Sequence, residues 1–152
     1  MKKTARFIST IAPLLYMVLV WVLSGLPDNV IIDIPQNNVD RFLKESLHLV
    51  EFAILYVLLI NAFLVNGKLK EATHIASAVI ACFYGLTDEI HQAFVPYRSA
   101  TVIDAIKDIT GVLICFSIVQ YAYFKKPASR IGQTMQKYKF WALSKNENSL
   151  TK

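Results

Sequence analysis

The stretch FISTIAPLLYMVLVWVLSGLP, residues 7–27, contains 21 residues without a charge. At about 1.5 Å per residue, a helix of this length spans about 30 Å, the thickness of the hydrocarbon core of a bilayer. Lys2, Lys3 and Arg6 precede the stretch, so a secretory signal peptide is the competing interpretation. The apolar region is longer than the roughly 7–15 residues usual for a signal, and no clear A-x-A cleavage site follows. We therefore expect a retained transmembrane helix.

Three further apolar blocks follow, at residues 52–67, 72–87 and 109–124, and each holds 16 residues without Asp, Glu, Lys or Arg. A 16-residue helix is about 24 Å long, so each span must take about one more turn from a flank that contains ionisable residues. Only 18% of the chain is charged, against roughly 25% in an average soluble domain. The sequence therefore predicts an all-α polytopic membrane protein. We expect four transmembrane helices in an antiparallel bundle within residues 1–124, followed by a basic cytoplasmic tail in residues 125–152.

The distribution of charge predicts the orientation of these spans. The N-terminus, the turn at residues 66–71 and the tail after Phe124 hold 12 of the 16 Lys and Arg residues, whereas nine of the 11 acids lie elsewhere. Because short cytoplasmic loops collect Lys and Arg, we expect both termini in the cytoplasm. The high isoelectric point thus reflects orientation and gives no reason to expect nucleic-acid binding. The basic and aromatic residues of the tail fit either an anchor on anionic inner-leaflet lipid or a disordered solubilising segment.

Polar side chains gather at the outer ends of three of the predicted helices. On the second helix, Lys44, His48 and Glu51 follow an i, i+4, i+7 spacing and share one face. The other candidates are Asp88, Glu89, His91 and Gln92 at the end of the third helix, Arg98 in the turn after it, and Asp104 and Asp108 at the start of the fourth. A charge that faces lipid costs about 2.5–3.5 kcal/mol on insertion scales, so we expect these side chains to line a polar pocket in the outer leaflet. His74 lies apart from them, and we expect it at the inner membrane interface.

Several chemistries fit this set of residues. Two histidines with carboxylates supply the ligand types of a divalent metal site, and paired acids in unlike environments supply a general acid and a base. Arg98 and Lys107 have the chemistry to hold a phosphate or a carboxylate. The spacing matches no standard metal motif such as HExxH, so we expect no cofactor and keep a divalent metal as the alternative. The same residues could instead serve only as hydrogen-bonding groups between helices, each bond worth roughly 0.6–2 kcal/mol.

The order of these motifs resembles that of the VanZ-like family, small bacterial membrane proteins associated with teicoplanin resistance. The stretch FYGLTDEIHQAFVPYR, residues 83–98, matches the family's D-E-x-H-Q-x-F pattern and the Pro and Arg of its P-G-R turn. The family's first span typically ends in a Ser-containing turn closed by Pro, and residues 24–27 match this turn. The family's second span opens with a basic residue, then H-x-x-E and an aromatic residue, and residues 44–52 match this pattern. Asp104 and Gly111 match the start of the fourth, so the resemblance extends from residue 15 to residue 124.

Two positions depart from the family pattern, because Tyr97 stands where Gly is usual and Asp108 where Asn is usual. Tyr97 implies a less extreme backbone at that turn, and Asp108 adds a negative charge to the predicted pocket. The resemblance implies a multi-pass protein of the bacterial plasma membrane that acts at the outer face of the envelope. It implies no established reaction.

The predicted pocket and the resemblance lead to two hypotheses. In the first, the pocket binds the head group of a membrane lipid, a lipid-linked envelope precursor or a lipoglycopeptide. Lys44 and Arg98 would hold its anionic group, and hydrogen bonds to the rest of the head would come from His48, Glu51, Asp88, Glu89, His91 and Asp104. In the second, the protein is an intramembrane enzyme acting on a lipid head group, with Glu89 as the base and a divalent metal bound by His48, His91, Glu51 and Asp88. A non-catalytic scaffold is the third alternative.

Overall fold

The computed structural model of the protein describes residues 2–26, 38–96, 98 and 100–144, without the side chains of Lys2, His48 and residues 38–46. The described chain forms five α-helices and contains no strand, so the all-α prediction is confirmed. The helices are α1 Lys2–Ser24, α2 Asn38–Val65, α3 Glu71–Gln92, α4 Val102–Val119 and α5 Arg130–Leu143, and α4 continues as a π-helix over Gln120–Lys125.

The helices extend into the polar flanks of their apolar blocks, as predicted from the short length of the last three blocks. α3 continues to Gln92, so Asp88 and Glu89 lie on its last turn. α4 begins at Val102, well before the apolar block, and Asp104 lies in its first turn. The side chains that the sequence predicts for the pocket are therefore held on helices rather than on loops.

A tight turn at Asn66-Gly67 joins α2 to α3, within the turn that the sequence predicts at residues 66–71. Gly67 has a φ of 68°, in the left-handed region that favours glycine, and its N–H donates to the Leu64 carbonyl. The backbone N–H of Lys70 donates to the Thr73 hydroxyl at 2.9 Å, which satisfies one of the donors at the start of α3. The two helices consequently run antiparallel and adjacent.

The central helix of the bundle is α2, which packs against each of the other four helices. Its Phe52, Leu55 and Tyr56 side chains are completely buried. Gly111 of α4 lies so close to α2 that a Cβ atom there would overlap the carbonyl oxygen of Leu49. This close approach fixes the start of α4 directly against α2.

Side-chain hydrogen bonds join α1 to the bundle. Only 17% of its most apolar stretch is buried. The Tyr16 hydroxyl donates to the Glu51 carbonyl at 3.1 Å, and the Tyr84 hydroxyl donates to the Met17 carbonyl at 2.6 Å. Near the N-terminal end of α1, Arg6 Nη2 lies 3.3 Å from Asn66 Oδ1. These bonds fix both the rotation of α1 and its height along the bundle.

One helix of the described chain, Lys3–Ser24, is long and apolar enough to cross a membrane on length and composition, with a mean hydropathy of 2.1. The apolar part of α2, Leu49–Val65, is shorter. The four-span arrangement and the side on which the termini lie stay predictions.

His74, which the sequence predicts at the inner membrane interface, is buried inside the bundle, and its depth in a membrane stays a prediction. Its side chain is 0% exposed, and its ring stacks on Phe116 with centroids 4.1 Å apart and an interplanar angle of 7°. The rings of Tyr56 and Phe124 also contact it. Tertiary packing buries His74, because the end of α4 and the π-helix cover the face of α3 on which it lies. The sequence of α3 alone does not show that this face is covered.

Candidate functional site

The polar end of the bundle, where α1 and α3 finish and α4 begins, buries side chains of the last turn of α3. Asp88 is 0% exposed, and Glu89 and Gln92 are buried beside it. Gln92 Nε2 donates to Asp88 Oδ2 at 2.5 Å, and Asp88 Oδ1 accepts no hydrogen bond from the described residues. A buried acceptor without a donor costs roughly 1–3 kcal/mol. This oxygen of Asp88 therefore keeps hydrogen-bonding capacity that the described residues do not use.

Arg98 joins the end of α3 to the end of α1. Its Nε donates to Gln92 Oε1 at 3.1 Å, and its Nη1 donates to the carbonyls of Leu23 and Leu26 at 3.1 and 3.0 Å. The last carbonyls of a helix have no partner within the helix, and the helix dipole favours a cation there. Arg98 thus caps α1. Its predicted contact with an anionic group stays a prediction.

His91 faces α1. Its Nδ1 lies 3.1 Å from Ser24 Oγ, and its ring stacks on Trp21 with centroids 4.0 Å apart and an interplanar angle of 7°. The buried Ser24 hydroxyl also lies 3.2 Å from the Trp21 carbonyl, to which it can donate. The serine of the Ser-Gly-Leu-Pro turn therefore has a structural partner on α3.

A second branch of the network connects α3 to the start of α4. The backbone N–H of Thr101 donates to Glu89 Oε2 at 3.2 Å. The Thr101 side chain accepts from the Asp104 N–H at 3.1 Å and donates to Asp104 Oδ2 at 2.6 Å, so it caps α4. Lys107 Nζ lies 3.0 Å from Asp104 Oδ1. Lys107, one of the two cations that the sequence suggests for binding an anion, is thus paired with a carboxylate of its own helix.

Asp108 lies one turn further along α4 and is buried. A Cβ atom built on Gly85 would lie 3.4 Å from Asp108 Cβ and 3.3 Å from the ring of Phe52. Gly85 therefore permits the close contact of α3 with α2 and α4 that brings Asp108 beneath the last turn of α3.

Some predicted site residues lie outside this description. The side chains of Lys44 and His48 are outside the described residues, as is Tyr97. Glu51 is half-buried, and its backbone carbonyl accepts the bond from Tyr16. Among the side chains that the structure describes, no three of His, Cys, Asp and Glu are arranged to hold a metal ion. The enzyme and its metal, which depend on His48, stay predictions.

Ser24 and Thr101 belong to the network but are absent from the predicted site residues. The T-x-x-D pattern of Thr101 and Asp104 is a helix-capping signal and could have identified Thr101. Ser24 is harder to find, because its partner His91 lies 67 residues away in the sequence.

Comparison with protein-family models matches residues 5–123 to the family described as VanZ/LLP1. The match includes every described side chain of the polar network and ends before α5. No curated protein and no solved structure matches the chain. Because the family match covers most of its length, the chain belongs to the VanZ/LLP1 family.

Proposed function

We propose that the protein spans a bacterial plasma membrane four times, through α1 to α4, with both termini in the cytoplasm. The polar end then lies in the outer leaflet and binds the head group of an amphiphile. The amphiphile is a membrane lipid, a lipid-linked envelope precursor or a lipoglycopeptide.

The distribution of exposed side chains supports the membrane placement. On α3, Ile90 is 63% exposed and Leu86 is also exposed, whereas Asp88 between them is buried. On α4, Ile106 is exposed and Asp108 is buried. A soluble protein rarely exposes large apolar patches or fully buries carboxylates. Lipid as the surrounding solvent accounts for both features, since apolar faces meet acyl chains and charged groups turn inward.

The observation that carries the binding proposal is the buried Asp88 carboxylate, one oxygen of which accepts no hydrogen bond from the described residues. Around it, the described side chains are rich in acceptors: the carboxylates are Asp88, Glu89, Asp104 and Asp108, and the cations are Arg98 and Lys107. Such a set favours a head group that donates hydrogen bonds through hydroxyl or amino groups, as sugars and amino-alcohols do.

Binding of this kind provides a physical route to drug tolerance. A protein that holds lipid head groups at the outer leaflet alters the lipids that a lipid-tailed antibiotic meets, or competes for its anchor. Membership of the VanZ/LLP1 family supports a link to teicoplanin and related lipoglycopeptides.

The test replaces the carboxylate by an isosteric amide in the Asp88→Asn variant. In cells that lack their own copy, we expect the wild-type protein to lower teicoplanin susceptibility and Asp88→Asn to return it to the empty-vector value. Lipid that co-purifies with the wild-type protein in mild detergent, identified by mass spectrometry, should be lost from the variant. The cause is the loss of the buried acceptor that orients the head group.

Glu71→Gln is the matched control, because it makes the same change on an exposed residue at the opposite end of the bundle. It should retain both the phenotype and the bound lipid. If Asp88→Asn keeps both at unchanged protein level, the polar end does not bind the ligand.

A scaffold is the second candidate, because the bonds from Arg98 and Thr101 tie α1, α3 and α4 together. If the polar end only fixes helix order, Asp88→Asn will lower the thermal midpoint, and the wild-type protein will carry no defined lipid. The two candidates are thus separated by the same pair of measurements.

A further inference from the structure

The segment that follows the four-helix bundle has an unusual chemistry. Between Lys125 and Ser144 the chain contains five basic residues and no acid. The basic residues are Lys125, Lys126, Arg130, Lys137 and Lys139. Most of this segment forms α5, Arg130–Leu143.

The docked face of α5 lies against the end of the bundle opposite the polar end. Gly132 lies so close to the Ala122 carbonyl that a Cβ atom there would overlap it. Lys139 Nζ lies 3.1 Å from the Tyr123 hydroxyl. Further along, Leu143 approaches the α2–α3 turn at Gly67. Because these contacts reach the ends of different helices in succession, α5 crosses the end of the bundle.

The outer surfaces of α5 combine cations with large apolar groups. Arg130, Lys137 and Trp141 share the outward face, at an i, i+7, i+11 spacing, and all three are exposed. Phe140 on one flank is 75% exposed, and Ile131 on the other flank is also exposed. These exposed apolar side chains do not contribute to the packing of the bundle.

A groove of about 310 Å³ runs along one flank of α5. Its lining combines a cation, two apolar side chains and two uncharged polar side chains: Gln136, Lys139, Phe140, Leu143 and Ser144. This mixture suits the boundary between a phosphate head group and its acyl chains.

We propose that α5 is an interfacial helix that binds anionic phospholipid in the leaflet at this end of the bundle. Its Lys and Arg side chains contact lipid phosphates, and its aromatic side chains enter the head-group region. A helix that crosses the end of a membrane bundle lies close to the plane of the bilayer, which is the orientation this role requires. A second copy of the chain is a poor occupant of the same surface, because it would bring five positive charges against five others. The inference rests on the membrane placement proposed above and not on the ligand of the polar end.

Two tryptophans, Trp21 and Trp141, allow the test to be made on the full-length protein. The Trp21→Phe variant leaves Trp141 on α5 as the only indole, and Trp141→Phe leaves Trp21 in α1. Each variant is reconstituted in phosphatidylcholine vesicles, with or without phosphatidylglycerol. Fluorescence is quenched by lipids brominated close to the head group and, separately, by acrylamide in the water.

We expect brominated phosphatidylglycerol to quench Trp141 about twofold more than brominated phosphatidylcholine at equal mole fraction, because the basic residues enrich anionic lipid around α5. Replacing Arg130 and Lys137, the exposed cations of α5, by Gln should remove most of the preference. Replacing the exposed Lys68 and Lys70 by Gln removes the same charge at the same end but outside α5, and should retain most of the preference.

Three results are diagnostic. Quenching of Trp141 by acrylamide but not by lipid would place α5 in water, and quenching by neither would place it under another protein surface; both overturn the inference. Trp21 tests the membrane placement separately, since a Trp21 that no brominated lipid reaches would contradict the four-span proposal itself.

Discussion

Each end of the bundle contains a histidine stacked on an aromatic ring, and the two stacks have nearly the same geometry. At the polar end, His91 lies 4.0 Å from Trp21, and towards the opposite end His74 lies 4.1 Å from Phe116, both at 7°. Their polar surroundings differ. His91 Nδ1 has Ser24 Oγ at 3.1 Å, whereas neither ring nitrogen of His74 forms a hydrogen bond with the described residues. The same stack therefore belongs to a polar network at one end and to an aromatic core at the other.

The two ends of the bundle therefore allow the contribution of packing to stability to be compared with that of side-chain hydrogen bonds. At the polar end, side-chain hydrogen bonds join α1, α3 and α4, and glycines allow the helices to approach. At the opposite end, α5 covers the bundle. We call this the basic end, and it comprises the start of α1, the α2–α3 turn and residues 125–144. Three pairs of matched substitutions test the difference.

The largest effect is expected from the two glycines at which an added methyl group would overlap a carbonyl oxygen. Gly111→Ala should destabilise the whole bundle by about 3 kcal/mol, since the methyl meets the Leu49 carbonyl and forces α2 and α4 apart. Gly132→Ala meets the Ala122 carbonyl in the same way, but should release only α5. Thermal unfolding followed by circular dichroism measures the first effect, and tryptic cleavage around Arg130 measures the second. Equal thermal midpoints for the two variants would show that α5 is part of the cooperative core.

A smaller difference in stability is expected between substitutions of the two arginines that contact the ends of α1. Arg98→Gln removes donors to Leu23, Leu26 and Gln92 and should cost about 1–3 kcal/mol, because the α1 carbonyls lose a charged partner. Arg6→Gln removes one 3.3 Å bond to Asn66 and should cost under about 1 kcal/mol. Chemical denaturation in detergent gives both values. A larger loss for Arg6→Gln would mean that α1 is held mainly at the basic end.

The smallest effects are expected at the histidines themselves. His74→Phe keeps a stacked ring among aromatic neighbours and should leave stability unchanged or raise it. His91→Phe also keeps a ring, but leaves the Ser24 hydroxyl with only the Trp21 carbonyl and should cost about 1 kcal/mol. A double-mutant cycle with Ser24→Ala isolates that bond. A coupling energy of zero would show that the Ser24–His91 contact contributes nothing.

The helices could be predicted from sequence more fully than their polar contacts. The apolar blocks are too short to span a bilayer alone, and this shortfall predicts that the helices reach Asp88 and Asp104, as they do. The acceptors of Arg98 could not be predicted, because Leu23 and Leu26 offer backbone carbonyls that any residue possesses, 75 and 72 positions away. The burial of His74 likewise depends on where the π-helix lies. Spacing along one helix identifies a face, and only the packing of several helices identifies what that face meets.

The attachment of α1 has a consequence for how the protein responds to its surroundings. Between apolar helices in a bilayer, the hydrophobic effect supplies no net attraction, since acyl chains replace side chains at equal cost. The bonds from Tyr16, Tyr84 and Arg98 instead grow stronger as water is excluded. In the membrane placement proposed above, a drier surrounding should therefore hold α1 more firmly, and water that enters between α1 and the bundle should loosen α1 first.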